Sequence, residues 1–390
     1  MAAQARELSV QPLIDWLDRG APPARTPQEM VLHLCRRLLG IGLPLYRVAV
    51  FVRTLHPNVL GRGFIWHEGR DFVEIVEAPH GIQETDIYLR SPLRVVFDEH
   101  TEVRRRLTDP DAPADFPVVE EMRAAGATDF LALPLRFVNG EVHGASFATR
   151  RPGGFSEAQV AALRRLMAPL ARIAEIYALM RTARNILDAY LGRQAGEKVL
   201  AGRIRRGDGE DIHAVLWFCD LRDSTPLADS MSRDDFLRLL NEFFECVLGP
   251  VLERQGEVLR FIGDAALAIF PVGTDPAGAC AQALAAARDA IARMAKLNEK
   301  RQGKPLAFGI ALHLGDVLYG NIGTPTRLEF TVIGAAANEA ARIESLCRQF
   351  DVSLLVSDRV VRHVDGEWKS LGQHKLRGVG DPIELFTPLP

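Results

Sequence analysis

EVLRFIGDAALAIF, residues 257–270, sets two apolar runs on either side of a Gly-Asp break. Val258, Phe261 and Ile262 lead in; Ala265, Leu267, Ile269 and Phe270 lead out. Runs of this length around a glycine-containing turn predict a β-hairpin. Asp264 then sits at the tip of the turn, at one edge of a sheet, where an exposed carboxylate suits a metal ligand. Gly-Asp is equally a good turn former, and the stretch alone does not separate the two readings.

Working outward, HAVLWFCD (213–220) is an apolar run ending in Asp220, followed by LRDSTPLAD. A buried strand that delivers a carboxylate at its end, then a short polar turn and a helix, suits a cation and a phosphate together. Asp220 takes the cation, while free N–H groups of the turn and helix start at Asp223, Ser224 and Thr225 face phosphate oxygens. Ser232 caps the next helix, whose apolar face is Phe236, Leu239, Leu240, Phe243, Val247 and Val251. An alanine-rich helix (276–297), a strand (306–315), its continuation (315–323), a short strand (329–334) and a helix follow. On that last helix Asn338 and Arg342 are four residues apart and share one face. They suit a ribose oxygen and a phosphate, or else form an ordinary exposed polar face with Glu344 and Arg348.

In order and spacing, FCDLRDST, LRFIGDAALAIF, YGNIG, EFTVIGAAANEAARIE and KLRGVGDPIELF resemble the class III nucleotidyl cyclase catalytic domain over roughly residues 210–388. The resemblance implies a ferredoxin-like fold and two divalent cations, Mg²⁺ or Mn²⁺, on Asp220, Asp264 and the Leu221 carbonyl. It implies that Asn338 holds the ribose, Arg342 the α-phosphate and Arg377 the terminal phosphates. Arg260 and Thr331 fall on the two base-selecting positions, where adenylyl cyclases usually carry Lys first and guanylyl cyclases Glu. Thr331 looks like the bacterial adenylyl type. The expectation is therefore an adenylyl cyclase making 3′,5′-cyclic AMP and pyrophosphate from ATP, with sites shared across a homodimer. A guanylyl cyclase, or a silent nucleotide-binding dimerisation module, is the alternative. No GG[DE]EF-type turn of a diguanylate cyclase occurs.

In the first half, Thr26-Pro27-Gln28-Glu29 starts a helix. Strand patterns follow at 46–54, 63–67, 71–78, 129–137 and 141–150, the last two joined by Asn139-Gly140, which suggests a type I′ turn. The closing stretch ALPLRFVNGEVHGASFATRRPGGFSEAQVAALRRLMAPLARIAE (132–175) resembles a GAF domain, a sensory α/β module, which implies either a small-molecule ligand or dimerisation alone. Cys35, the one cysteine in this half, lies in the first helix and does not suit a bilin. Arg104-Arg105-Arg106 reads as a solvated face. Leu163, Leu166, Leu170, Ile173, Tyr177 and Met180 form a heptad-like seam, whose first part is expected to pack on its own domain and whose later part is expected to pair with a partner chain in a dimer.

The layout expected is an α/β (α+β) chain: a leading segment (1–23), a GAF-like domain (24–160), a helical coiled-coil linker (161–209) and a catalytic domain (210–390). A net charge of -3 argues against nucleic acid as a partner. Five scattered cysteines without CxxC spacing fit a reducing compartment and no zinc site. No apolar run of about 18 residues and no signal-peptide pattern is seen, so a cytoplasmic protein off the membrane is expected.

Overall fold

The computed structural model describes residues 9–56 and 59–389; the first eight residues of the expected leading segment lie outside it. The chain divides into two compact units, Met1–Ile186 and Leu187–Pro390.

The first unit contains α1 (Gln11–Asp18), α2 (Pro27–Gly40), β1 (Arg47–Arg53), β2 (Val59–His67), β3 (Glu74–Pro79), α3 (Asp86–Leu89), α4 (Pro92–Asp98), β4 (Val103–Arg106), α5 (Pro117–Ala124), β5 (Asp129–Arg136), β6 (Val142–Thr149) and most of α6 (Glu157–Leu191). The six strands form an antiparallel sheet in the order β3-β2-β1-β6-β5-β4. Thr26 accepts from the Glu29 N–H at 3.2 Å, the N-cap its sequence predicts.

The Pro/Ala-rich patch GAPPARTP (20–27), whose composition suggests a linker, is instead a packed turn: Ala21 is buried, and the Trp16 indole donates to the Pro22 carbonyl at 2.7 Å. Asn139-Gly140 is not a type I′ turn. Positive φ falls on Gly140 alone, and the Phe137 N–H donates to the Glu141 carbonyl across a three-residue loop, so a left-handed glycine closes a type I turn.

Val48, Val50 and Val52 of β1 pack with α1, α2 and α6 on one sheet face. The heptad-like seam divides there: Leu163, Leu166, Leu170 and Ile173 are buried in that core, whereas Met180 is exposed. Residues Ala49 and Phe51 alternate to the other face.

Of the three arginines of β4, Arg104 and Arg105 are drawn in from solvent by ion pairs, while Arg106 is paired but exposed. Arg104 binds Asp129 at 2.9 Å and Glu157 at 2.7 Å, Arg105 binds Asp115, and Arg106 binds Glu157 at 3.0 Å. Asp129 is fully buried and also accepts the Phe155 N–H at 3.0 Å.

The second unit contains α7 (Arg193–Leu200), β7 (Gly209–Leu221), α8 (Ser224–Asp229), α9 (Arg233–Glu253), β8 (Glu257–Ile262), β9 (Ala265–Pro271), α10 (Pro276–Lys300), β10 (Phe308–Thr324), β11 (Arg327–Ile333), α11 (Ala335–Phe350), β12 (Leu354–Ser357), α12 (Asp358–Val361), β13 (Trp368–His374) and β14 (Ile383–Pro388). Its sheet runs β13-β14-β12-β10-β7-β9-β8, with β11 paired to β10. The long antiparallel ladder from Phe308↔Leu221 to Gly320↔Gly209 forms its centre. Val215, Trp217, Cys219 and Leu221 of β7 face α9 and α10. Ala214 and Leu216 face α7 and α11. The segment 190–212, which reads as polar boundary, holds α7, because Ala195 is buried against Leu216 and Leu259.

Replacing Asp129 by Ala leaves the mostly buried Arg104 without its inner partner. Breaking a buried pair costs about 3–5 kcal/mol. Urea unfolding of the full chain is expected to show a loss of about 3 kcal/mol in the transition of the first unit, and a loss below about 1 kcal/mol refutes the role given to this pair.

Candidate active site

The two aspartates meet because of strand register. Asp220 lies opposite Ala265 in the β7–β9 ladder and opposite Gly309 in the β7–β10 ladder. Ala265 follows the two-residue turn Gly263-Asp264, which Ile262↔Ala265 closes. Gly263 has φ 65° and Asp264 does not share a positive φ, so this hairpin turns in the type II′ manner. Asp264 is thus at the tip, as its sequence predicts, and its carboxyl is close enough to Asp220 to share a hydrogen bond. Burial, then the charge of Asp264, push Asp220 up to about 6. Leu221 ends β7 fully packed.

A third carboxylate joins them, one for which the sequence suggests no role beyond an exposed polar face. Glu344 of α11 is buried, and burial followed by the charge of Asp220 pushes it up to about 7. Room for it comes from Gly309, where a Cβ would overlap the Glu344 carboxylate. Arg222 is the one cation that opposes these shifts on Glu344. Carboxylates crowded in this way hold protons that a cation displaces. The donor set therefore fits a divalent cation held by Asp220 and Asp264, with a backbone carbonyl at Leu221 in reach of the strand end. Among the described residues, no group of three or more His, Cys, Asp or Glu side chains is arranged to hold a metal by itself.

Asn338 and Arg342 share the outer face of α11, away from Glu339, Ile343 and Glu344, which face the sheet. α11 is fixed by a buried contact of 2.8 Å between His313 Nε2 and Glu339 Oε2. No hydrogen bond or ion pair joins Asn338 or Arg342 to Asp220 or Asp264 among the described residues. Gly378 passes beside the Arg342 guanidinium: a Cβ built there would lie 3.7 Å from it. This brings the loop with the exposed Arg377 next to Arg342.

Asp223 precedes α8 with φ 56°. Its carboxylate is paired with Arg348 at 3.2 Å and Lys304 at 3.5 Å, so what Asp223 itself offers a phosphate is its backbone N–H. Ser224 and Thr225 open α8, which is six residues long. At the other predicted subsite, Arg260 of β8 is held by both carboxylate oxygens of Glu329 on β11. Thr331, two residues further on, is buried and its hydroxyl has no partner. Glu329 carries no separate sequence signal, since only the β8–β11 approach brings it to Arg260.

The sequence model of the adenylate and guanylate cyclase catalytic domain family matches residues 210–386. An uncharacterised protein of Mycobacterium tuberculosis (strain H37Rv) is 36% identical over 219 residues, which is 54% of this chain and 39% of that protein. The chain thus spans about two-fifths of the length of the curated relatives it matches. Among solved structures, a bacterial light-regulated adenylyl cyclase is 20% identical with a TM-score of 0.48, covering 66% of this chain and 84% of that one. The guanylyl cyclase Cya2 is 24% identical with a TM-score of 0.41, covering 46% and 92%. The family match carries the identity of the segment.

The raised carboxyls give a pH signature. Both hold a proton in the folded state at pH values where the unfolded chain has lost it, so each destabilises the fold as pH rises, from about 4 to about 6 for Asp220 and from about 4.5 to about 7 for Glu344. Glu344→Gln removes the larger part. It is expected to raise stability at pH 7.5 by about 1–2 kcal/mol and to do little at pH 4.5, read by thermal melts of the metal-free protein. Equal effects at both pH values contradict the cause given for the shift.

Proposed function

Residues 210–386 being an adenylate and guanylate cyclase catalytic domain, we propose that the chain is an adenylyl cyclase, converting ATP to 3′,5′-cyclic AMP and pyrophosphate. The observation that carries the reading is the meeting of Asp220 and Asp264, backed by Glu344, at one end of β7 inside this domain. The order β7-α9-β8-β9-α10-β10, with strands placed β10-β7-β9-β8, supports the ferredoxin-like reading of the fold.

Asp220, Asp264 and the Leu221 carbonyl would hold two divalent cations, Mg²⁺ or Mn²⁺, whose positive charge would make the ribose 3′-hydroxyl acidic and neutralise the triphosphate. Asn338 orients the ribose. Arg342 receives the charge that develops on the α-phosphate, a preorganised electrostatic effect. Arg377 and the backbone N–H groups at Asp223, Ser224 and Thr225 hold the outer phosphates. The hydroxyl attacks the α-phosphate in line and pyrophosphate leaves.

Asn338 and Arg342 turn away from the carboxylates of their own chain. This supports a homodimer in which one subunit supplies Asp220 and Asp264 and the other Asn338 and Arg342. Phe261, Ile262, Leu318, Ile322 and Ile333 leave apolar area exposed around the hairpin and β10–β11, as a self-association surface requires. Residues 24–160 act as a GAF-like sensor and 161–209 as the helical connection to the catalytic domain. No helix among the described residues is long and apolar enough to cross a membrane, which is compatible with work in the cytoplasm.

The base preference follows from Arg260, Glu329 and Thr331. Glu329 holds the Arg260 fork in one orientation, from which it donates to adenine N1, and the free Thr331 hydroxyl accepts from the exocyclic amine. A guanine O6/N7 edge also accepts from an arginine fork, so GTP is the second substrate to measure. Glu329→Gln releases the fork and is expected to change the ATP-to-GTP ratio of kcat/KM by about tenfold. An unchanged ratio removes the pair from base selection.

Asp220→Ala and Arg342→Ala are each expected to lower kcat by about 10²–10³. Mixed in equal amounts, they should recover about a quarter of wild-type activity, because half the dimers are mixed and each has one intact site. A mixture as inactive as its parents rules out the shared site.

A further inference from the structure

The first unit holds a cavity of about 570 Å³, on the sheet face opposite the core formed with α1, α2 and α6. That volume is within the roughly 300–1,000 Å³ range of small-molecule sites. Its floor is bare because β2 carries glycine at two successive positions of this face. Gly63 lies opposite Phe51 and Gly61 opposite Arg53. A Cβ on Gly63 would come within 2.6 Å of the Phe51 ring, so the ring lies across the strand where a side chain would otherwise stand. Phe130 and Leu93 extend the apolar lining, and the segment from Ile82 to Leu93 with the start of α5 forms the roof. Ile87 in that roof and Val76 in the floor are exposed, apolar surface that nothing in the unit covers.

The charged groups lining the cavity are unequal. Arg62 is spent on Glu77 at 2.5 Å. Arg53 reaches the Tyr88 hydroxyl at 3.1 Å and Asp98 at 3.5 Å and stacks on Phe97. Arg90, Asp86 and Glu121 are exposed and hydrated. Arg47 is different. It is half-buried, no carboxylate lies within ion-pair distance of it among the described residues, and burial outweighs the pull of Tyr46, Glu74 and Glu121 and lowers its proton affinity. A desolvated guanidinium without a counter-ion is costly unless an anion completes it. Among the described residues no histidine or cysteine lines the cavity, which leaves a histidine-ligated haem or a thioether-linked chromophore without an anchor there.

We infer that this cavity binds a small molecule with an apolar, ring-bearing body and one anionic group, the body on Phe51, Gly63 and Phe130 and the anion on Arg47. The inference deepens the proposed sensory role of the first unit and does not depend on the catalytic reading of the second.

Two fluorescent probes that differ by one anionic group test it on the full chain. 8-Anilinonaphthalene-1-sulfonate has the apolar rings and a sulfonate; N-phenyl-1-naphthylamine has the rings alone. The expected result is a saturable one-to-one site for both in the wild type. Arg47→Gln should weaken the sulfonate by about tenfold and leave the neutral probe unchanged, since a charge-assisted hydrogen bond is lost. Arg47→Lys should retain most of the sulfonate binding, and Ala78→Phe, which fills the floor from β3, should abolish both. Circular dichroism and a thermal melt establish that each variant folds. The inference fails if Arg47→Gln leaves sulfonate affinity unchanged or weakens both probes alike. It fails equally if Ala78→Phe, folded, still binds them.

Discussion

The catalytic unit depends on one register. Because Asp220 stands opposite Ala265, the end of β7 meets the Gly263-Asp264 turn, and two carboxyls from distant parts of the chain come within hydrogen-bond reach. A slip of one residue in β7 would turn Asp220 to the face of α9 and α10 and send Cys219 and Trp217 to the face of α11. Such a slip would bury a carboxylate in the larger core and drive Trp217 into the packed face that Ala214 and Leu216 occupy. The apolar alternation of β7 therefore enforces the site through the cost of every other arrangement.

The same crowding gives the site its electrostatic character. Three carboxyls share a region in which Arg222 is the opposing cation for Glu344. The fold tolerates this repulsion by keeping protons on groups that would ordinarily have lost them, at a cost in stability near neutral pH. Such strain is characteristic of functional sites, and relief by a cation is the simplest physical account of why the carboxyls are placed together. On β8, opposite charge plays the contrary part: Glu329 satisfies Arg260 and fixes its direction, which makes an otherwise flexible side chain an oriented donor.

The first unit shows the reverse design. Its sheet is closed on one side by α1, α2 and α6, and on the other side glycines at 61 and 63 leave a hollow where side chains would have packed. A protein interior rarely leaves so much apolar surface unfilled, and an arginine without a counter-ion in that hollow is a further sign that the unit is complete only with something bound. The arginines of β4 show the contrast, because each already has its carboxylate within the unit.

Much of this was legible in the sequence. Local patterns determine local structure: the hairpin tip at Asp264, the caps at Thr26 and Ser232, and the helix carrying Asn338 and Arg342 all follow from turn chemistry and periodicity over a few residues. The motif order in residues 210–386 identifies the catalytic domain. What the sequence could not decide lies in contacts across long separations. Glu344 reads as one more polar residue on a helix until Gly309 admits it beside Asp220, and Glu329 has no signal until β11 approaches β8. Arg104 reads as solvated because its partners, Asp129 and Glu157, are 25 and 53 residues away in the chain. Period and turn preference are properties of neighbours in sequence, whereas charge pairing, desolvation and empty volume are properties of neighbours in space, and only the tertiary structure brings those together.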